Sequence, residues 1–171
     1  MKKNNRIHEI IRVDHAGELG ATYIYKGQLA VLKKKRIAKE LKHMLAQEKE
    51  HFLKLSKLLI DYKVRPTALI PIWRLGAFGL GAMTAALGPK ATMACTEAVE
   101  EVIIKHYQKQ SDYLKDKDKK LSRITARLAK EEEEHFNLAT QHNTGSGYYS
   151  KVLKLGIKTI SKVAIKLSEK I

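Results

Sequence analysis

The order of apolar and polar residues contains no stretch of strand length in which the two strictly alternate, and helix-forming residues dominate the chain. This pattern predicts six helices, over about Ile7–Lys33, Ile37–Tyr62, Ile72–Leu87, Lys90–Lys115, Asp118–His142 and Tyr148–Lys170. The breaks fall at Arg65-Pro66, Gly88-Pro89 and the loop Asn143–Gly147, because proline disfavours helix at the residue before it and glycine favours turns. Short connections make consecutive long helices antiparallel neighbours, so the expected architecture is an all-α bundle.

The composition fits a single domain over residues 1–171. Apolar residues make up 44% of the chain, charged residues 30%, and only three residues are prolines, which excludes a disordered, collagen-like or disulfide-rich protein. The one cysteine, Cys95, is expected to be a small core residue in a reducing compartment. A formal net charge of +15 indicates an anionic partner, either a membrane surface or a nucleic acid. The first residues contain no apolar stretch, so we expect no secretory signal.

A repeat relates the first predicted helix pair, residues 7–62, to the second, residues 90–142. Each pair carries Glu-x6-Tyr-x2-Gln on its first helix and Glu-x-x-His on its second. The matching residues are Glu18, Tyr25, Gln28, Glu48 and His51 in the first pair, and Glu100, Tyr107, Gln110, Glu132 and His135 in the second. Residues three apart share a helix face. The repeat therefore predicts a bundle with a pseudo-two-fold axis.

Four glutamates and two histidines that point into a bundle predict a metal centre. An isolated buried charge is very costly, whereas two divalent cations would balance the four carboxylates. One glutamate from each of two helices, with Glu-x-x-His from each of two others, is the ligand arrangement of ferritin-like proteins with two iron or manganese ions. Oxygen-rich ligation with two nitrogens suits those metals better than zinc. The predicted ligands are Glu18, Glu48, His51, Glu100, Glu132 and His135.

A third Glu-x-x-His, Glu40 with His43, is not expected to bind metal. It precedes Glu48 by eight residues, which rotates it by about 80° around the helix. The second half of the repeat has no counterpart to it, since Ile124 occupies the matching position.

Other residues near the predicted ligands each have two interpretations. Tyr25 and Tyr107 lie about two turns beyond their glutamates, as ordinary core aromatics or as hydroxyl groups near the metals. His106 is either a packed or solvated histidine or a residue that assists catalysis. Asp14 and His15 either support the site or belong to the start of the first helix.

Residues 68–88 form the most apolar window of the chain. Pro71, one arginine and four glycines in this window argue against a membrane-spanning helix. The segment is either a buried crossover helix or an interfacial helix that presents Trp73, Phe78 and Leu80 to lipid.

The last predicted helix carries a basic stripe at three- or four-residue spacing, formed by Lys151, Lys154, Lys158, Lys162, Lys166 and Lys170. The opposite side is apolar, with Leu153, Ile157, Ile160, Val163, Ala164, Leu167 and Ile171. The stripe is either the solvated face of a packed helix or a surface that rests on anionic lipid. No recognised nucleic-acid motif accompanies it.

Several short motifs together resemble the demethoxyubiquinone hydroxylases. They are Arg12-Val-Asp-His-Ala-Gly-Glu18, Gln47-Glu-Lys-Glu-His51, Val64-Arg-Pro-Thr67, Met93-Ala-Cys-Thr96, Ala98-Val-Glu-Glu101, Glu131-Glu132-x-x-His135 and Ala164-Ile-x-Leu-Ser-Glu169. The resemblance implies one iron bound by Glu18, Glu48 and His51 and another by Glu100, Glu132 and His135, with Glu48 and Glu132 as candidates for bridging. Lys105 departs from the family pattern, in which this position often carries histidine.

The resemblance implies a membrane-associated di-iron monooxygenase of ubiquinone biosynthesis. Its reaction would be hydroxylation of the demethoxyubiquinone or demethoxyubiquinol ring, with O₂ as co-substrate. The chain has no Gly-rich dinucleotide motif, so electrons come from the quinol, from directly bound NADH or from a partner. The alternatives are a ferritin- or rubrerythrin-like ferroxidase or peroxidase, which would share every ligand, and a non-enzymatic basic protein that binds lipid or nucleic acid.

The predicted partners are a polyprenylated quinone or quinol and an anionic membrane surface, bound peripherally, with no nucleic acid. A lipid-presenting accessory protein and a homo-oligomer stay open. The predicted location is the cytoplasmic face of a bacterial inner membrane. In this interpretation, a ferritin-like four-helix bundle carries two extra membrane-facing helices.

Overall fold

The computed structural model describes residues 2–142 and 147–171, and all the regular structure in those ranges is α-helical. The six helices are α1 Lys2–Leu32, α2 Ala38–Asp61, α3 Ile70–Ala86, α4 Pro89–Leu114, α5 Lys119–His142 and α6 Tyr148–Lys170. The prediction of six helices and no strand is confirmed for this part of the chain. The predicted loop at Asn143–Gly147 lies outside the described residues except for Gly147. Among the described helices, none is long and apolar enough to cross a membrane.

α1 begins at Lys2, well before the predicted Ile7, because no proline or glycine interrupts the first residues. Arg6 supports this early turn, since its Nη1 lies 2.9 Å from Glu9 Oε2, one turn further on. Asp14 and His15 are therefore interior residues of α1, and the interpretation that placed them at a helix start is wrong.

The chain divides into two compact units. The first contains the described residues up to Thr92 together with Val163–Ile171, and the second contains Met93–Lys162. α1, α2 and α3 belong to the first unit and α5 to the second, whereas α4 and α6 contribute residues to both. The assignment of residues 1–171 to a single domain stays a prediction.

In the first unit, α1 packs against both α2 and α3. The fully buried side chains of its core include Ile10, Ile11, Leu41, Met44 and Leu55. The backbones of α1 and α3 nearly touch. A Cβ at Gly81 would lie 2.0 Å from the carbonyl oxygen of Ile24, and one at Gly27 would lie 2.2 Å from that of Phe78. Only glycine permits this approach.

In the second unit, α4 and α5 are joined by a pair of reciprocal hydrogen bonds. Ser122 Oγ donates to the carbonyl oxygen of Ser111 at 2.9 Å, and Ser111 Oγ donates to that of Ser122 at 3.1 Å. Leu114, Leu121 and Leu128 are fully buried around this junction of helices.

The basic stripe of α6 is neither uniformly solvated nor entirely available to lipid. In the second unit, Lys154 Nζ lies 2.7 Å from Glu97 Oε1 and Lys158 Nζ lies 2.5 Å from Glu101 Oε2, both on α4. In the first unit, Lys170 Nζ pairs with Glu9 of α1 at 2.7 Å. Four lysines of the stripe are exposed, Lys151, Lys162, Lys166 and Lys170, and so are seven large apolar side chains of α6: Tyr148, Tyr149, Val152, Leu155, Ile160, Val163 and Leu167.

The three side chains that the interfacial interpretation of α3 presents to lipid, Trp73, Phe78 and Leu80, are only partly exposed. Trp73 and Leu80 are half-buried, and Phe78 is 39% exposed. The most exposed apolar side chains are Ile72, Leu75 and Met83 of α3 and Leu87, which caps the helix; they are 58–78% exposed, and we call them the outward face of α3. This orientation follows from the close contact of Gly81 with α1, because the side of α3 that carries Gly81 must face α1 and the opposite side is left exposed.

Candidate metal centre

Three predicted ligands meet in the first unit. Glu18 on α1 and Glu48 and His51 on α2 are at most 2% exposed, and one ligand atom from each lies within 4.8 Å of the others. Glu18 Oε2 is 3.4 Å from His51 Nδ1. Glu48 and His51 reach the same point because they are one turn apart on α2.

The other three predicted ligands meet in the second unit. Glu100 on α4 and Glu132 and His135 on α5 are also at most 2% exposed and also offer ligand atoms within 4.8 Å of one another. His135 Nδ1 is 3.0 Å from Glu132 Oε2. Each unit therefore contains one buried Glu/Glu/His triad.

The chemistry of each triad fits a metal ion. Two carboxylates buried within a few ångströms of each other repel, and removing them from water is costly. A divalent cation offsets both effects, and an oxygen-rich set with one imidazole suits iron or manganese. The residues present can thus hold one cation in each triad.

The structure also separates the triads from similar residues that do not join them. His43 of the third Glu-x-x-His is exposed, away from the buried face of α2. Glu101, next to the predicted ligand Glu100, accepts a hydrogen bond from Lys105 Nζ at 2.6 Å. That bond, together with Lys158, lowers the pKa of Glu101. Lys105, the departure from the family pattern, thus serves an ion pair on the surface of α4.

In the first unit, Tyr25 and His15 lie in the core around the triad. Tyr25 is 1% exposed, and its hydroxyl contacts Met44 Sδ at 3.5 Å, so it acts at least as a packed core aromatic. His15 is 5% exposed and its ring lies 4.7 Å from that of Phe52. Burial lowers the pKa of His15 to about 4, which keeps the imidazole neutral at pH 7.

In the second unit, the repeat glutamine holds His106. Gln110 Nε2 and His106 Nε2 are 2.8 Å apart, and Tyr107 beside them is 2% exposed. The sequence analysis did not predict the contact between His106 and Gln110, although a spacing of four residues places both on one face of a helix. In the first unit, the counterpart Gln28 is fully buried, and its amide has no hydrogen-bond partner among the described residues.

Comparison with known proteins identifies the family. The model of the family described as "Ubiquinone biosynthesis protein COQ7" matches residues 5–168, which is nearly the whole chain. The chain belongs to the COQ7 family. The match includes both triads and all of α3, so the family assignment covers the candidate site as well as the fold.

Relatives of this COQ7-family chain come from animals, fungi and bacteria. A Bos taurus protein named "NADPH-dependent 3-demethoxyubiquinone 3-hydroxylase, mitochondrial" is 43% identical over 96% of this chain and 78% of its own length. A Rhodospirillum rubrum protein named "3-demethoxyubiquinol 3-hydroxylase" is also 43% identical, over the same shares. The Saccharomyces cerevisiae "5-demethoxyubiquinone hydroxylase, mitochondrial" is 39% identical over 96% of this chain.

Proposed function

We propose that this chain hydroxylates the ring of a polyprenylated demethoxyubiquinone or its quinol in ubiquinone biosynthesis, with O₂ as co-substrate. The observation that carries the proposal is a duplicated, fully buried Glu/Glu/His triad in a COQ7-family chain. The relatives in that family are named as hydroxylases of this ring. The chain is accordingly an oxidoreductase of the monooxygenase type.

The metal proposed for the triads is iron, two ions per chain. Glu18, Glu48 and His51 would hold one ion, and Glu100, Glu132 and His135 the other. By the family resemblance, Glu48 and Glu132 are the proposed bridging carboxylates. The corresponding proposal for the fold is a ferritin-like four-helix bundle of α1, α2, α4 and α5, with the repeat as its pseudo-two-fold.

Bound iron would supply the oxygen-activating redox chemistry that side chains lack. The protein's own contribution is to hold and shield the metals. All six proposed ligands are at most 2% exposed, so bulk water is kept from the site. His15, in the core of the first unit, remains neutral at pH 7 because burial lowers its pKa to about 4. Tyr25, Tyr107 and His106 are proposed supporting residues, and none of them is required as a ligand.

The electron donor is proposed to be the quinol itself or a reduced nicotinamide nucleotide. The Bos taurus relative is named NADPH-dependent, which supports the second source. Adding NADH, NADPH or a chemically reduced quinol separately to the iron-loaded protein and measuring product separates these donors.

The proposed location is peripheral, on a membrane that contains the quinone. The outward face of α3 is made of Ile72, Leu75, Met83 and Leu87, all well exposed and uncharged. An exposed apolar face of this kind marks a protein or membrane contact. A polyprenylated substrate stays in the bilayer, so this face would place the enzyme where its substrate is. For a bacterial host, we propose the cytoplasmic face of the inner membrane.

Iron binding is tested by metal analysis of purified variants. Wild type should carry two iron ions per chain, and Glu48→Ala or His135→Ala should lose at least one, because each removes a ligand. His43→Ala is the matched control, since it removes a histidine from the third Glu-x-x-His and should keep the iron. Equal losses from His43→Ala and His135→Ala would refute the ligand assignment.

The reaction is tested by a lipid profile in cells that lack their own hydroxylase. Wild type should remove accumulated demethoxyubiquinone and restore ubiquinone, and Glu48→Ala should not. An iron-loaded protein that oxidises Fe²⁺ rapidly but leaves demethoxyubiquinone untouched would instead identify a ferroxidase.

A further inference from the structure

The turn between α1 and α2 is an unusual concentration of positive charge. It consists of Lys33, Lys34, Lys35 and Arg36, which we call the basic turn, and all four side chains are exposed. Backbone hydrogen bonds order it, from Lys35 N to the carbonyl oxygen of Leu32 at 2.9 Å and from Ala38 N to that of Lys35 at 3.0 Å. Within the part of the chain that the structure describes, none of the four side chains has an ion pair or a hydrogen bond.

The repeat supplies an internal comparison for this turn. The corresponding turn between α4 and α5 reads Lys115-Asp116-Lys117-Asp118, so cations and acids alternate. Lys115 pairs with Asp112 at 2.7 Å, and Asp118 Oδ1 accepts a hydrogen bond from Leu121 N at 2.9 Å. A helix turn at this place in the repeat therefore needs no run of cations, and a run of four repels itself.

The basic turn lies at the same end of the first unit as the end of α3. Arg12 Nε, early in α1, donates to the carbonyl oxygen of Arg65, just before α3. Further along both helices, Gly27 meets Phe78, so α3 runs in the same direction as α1. With an equal rise of about 1.5 Å per residue, the last residues of α3 lie level with Leu32, where the basic turn begins.

Exposed apolar side chains therefore stand beside the cations. Met83 is 58% exposed and Leu87 is 68% exposed, and Lys90 follows them as a further exposed cation. Apolar side chains next to lysines and arginines match the boundary of an anionic bilayer, where acyl chains end and phosphates begin. A nucleic acid would offer the cations phosphates but would leave Met83 and Leu87 in water.

We propose that the basic turn binds anionic phospholipid headgroups while the outward face of α3 enters the acyl region. This inference rests on the membrane attachment proposed above. It adds which end of the first unit meets the headgroups and that the lipid must be anionic. The α1–α2 end of the first unit is then the part of the chain that contacts the lipid headgroups. This contact depends on the four consecutive cations of the basic turn.

The experiment compares binding of the full chain to phosphatidylcholine vesicles with binding to vesicles that also contain phosphatidylglycerol. The test variant replaces Lys33, Lys34 and Lys35 by glutamine. The control variant replaces Lys117, Lys119 and Lys120 by glutamine, which removes the same charge from the corresponding part of the repeat. Each cation near an anionic surface changes partitioning by roughly fivefold, so the test variant should lose about a hundredfold at low salt.

The outcomes separate this inference from the proposal on which it rests. If the test variant loses its preference for anionic vesicles, binds neutral vesicles as wild type does, and the control variant behaves as wild type, the basic turn is the headgroup site. If wild type binds neither kind of vesicle, the membrane attachment itself fails. If both variants lose the same amount, or the test variant loses nothing, the basic turn is not the site. Loss of binding to a short DNA duplex, with vesicle binding unchanged, would overturn the inference in favour of nucleic acid.

Discussion

The two halves of the repeat hold the same kind of triad, but a different helix contact supports the first helix of each. In the first half, α3 covers α1 through near contact of two backbones at Gly27 and Gly81. In the second half, α6 meets α4 through two ion pairs, Lys154 with Glu97 and Lys158 with Glu101. The first contact is uncharged and depends on shape, whereas the second is electrostatic.

The difference extends to matching positions of the repeat. His15 lies three residues before Glu18, and Glu97 lies three residues before Glu100. His15 is buried as a neutral ring against Phe52, whereas Glu97 is partly exposed and bound by Lys154. The two halves therefore share the candidate ligands and differ in the residues that pack behind them. Salt and pH should act differently on the α1–α3 contact and on the α4–α6 contact.

The largest effect should come from filling the contact between α1 and α3. Gly81→Ala places a Cβ 2.0 Å from the carbonyl oxygen of Ile24, and the obstacle is backbone, so the two helices must separate. We expect a loss of roughly 3 kcal/mol or more in the free energy of unfolding, measured by denaturant titration.

Gly79→Ala is the matched control on the same helix, since a Cβ there meets nothing within 4 Å. It should be neutral or stabilise by about 0.5–1 kcal/mol, because alanine is the better helix former. If the two substitutions shift the free energy of unfolding equally, shape does not hold this half together.

The next effect concerns His15 and acid. Its folded-state pKa is about 4 and its ordinary value is 6.5, so the unfolded chain takes up a proton first as the pH falls. Its contribution to stability is therefore intact above about pH 6.5 and is lost as the pH falls toward 4. The expected loss between pH 8 and pH 5 is about 2 kcal/mol.

Unfolding of wild type and His15→Gln at both pH values measures this term, because the difference between the proteins cancels the other titrating groups. The variant should show the weaker pH dependence. An identical pH dependence in the two proteins would mean that His15 is protonated as easily in the folded state as in the unfolded chain.

The sequence was informative where chemistry restricts the residue type. Metal ligation demands carboxylates and imidazoles at fixed helical spacing, so both triads could be located from Glu-x-x-His and the glutamates before it. The repeat also rejected Glu40 with His43, and the exposure of His43 agrees with that rejection. Cys95 is fully buried, as its character as a small apolar residue predicted.

Orientation could not be predicted where the sequence offers no marker of direction. In α3 nearly every residue is apolar, so only the contacts of Gly27 and Gly81 with α1 show which side of the helix faces the core, with Trp73 half-buried and Leu75 exposed. In α6 the lysines form a stripe, but their partners lie far away in the chain. That Lys158 binds Glu101 depends on how α4 and α6 pack, which no local pattern encodes.

The smallest effect should come from the ion pairs that hold α6 to α4. Lys154→Met and Lys158→Met each keep the packing of the stem but remove the charge from a partly buried pair, so each should cost about 1 kcal/mol. Salt should reduce that cost, more for the Lys158 pair than for the more buried Lys154 pair, and leave the Gly81→Ala effect unchanged, because screening acts on charges and not on shape. The pKa of Glu101 is lowered by Lys105 first and by Lys158 second, so the contribution of Glu101 to stability is present above about pH 4.5 and fades as the pH falls further.

Lys162→Met is the control, since this exposed lysine has no ion pair in the described part of the chain. If Lys158→Met costs the same at low and high salt, the α4–α6 contact is also held by shape, and the contrast between the two contacts disappears.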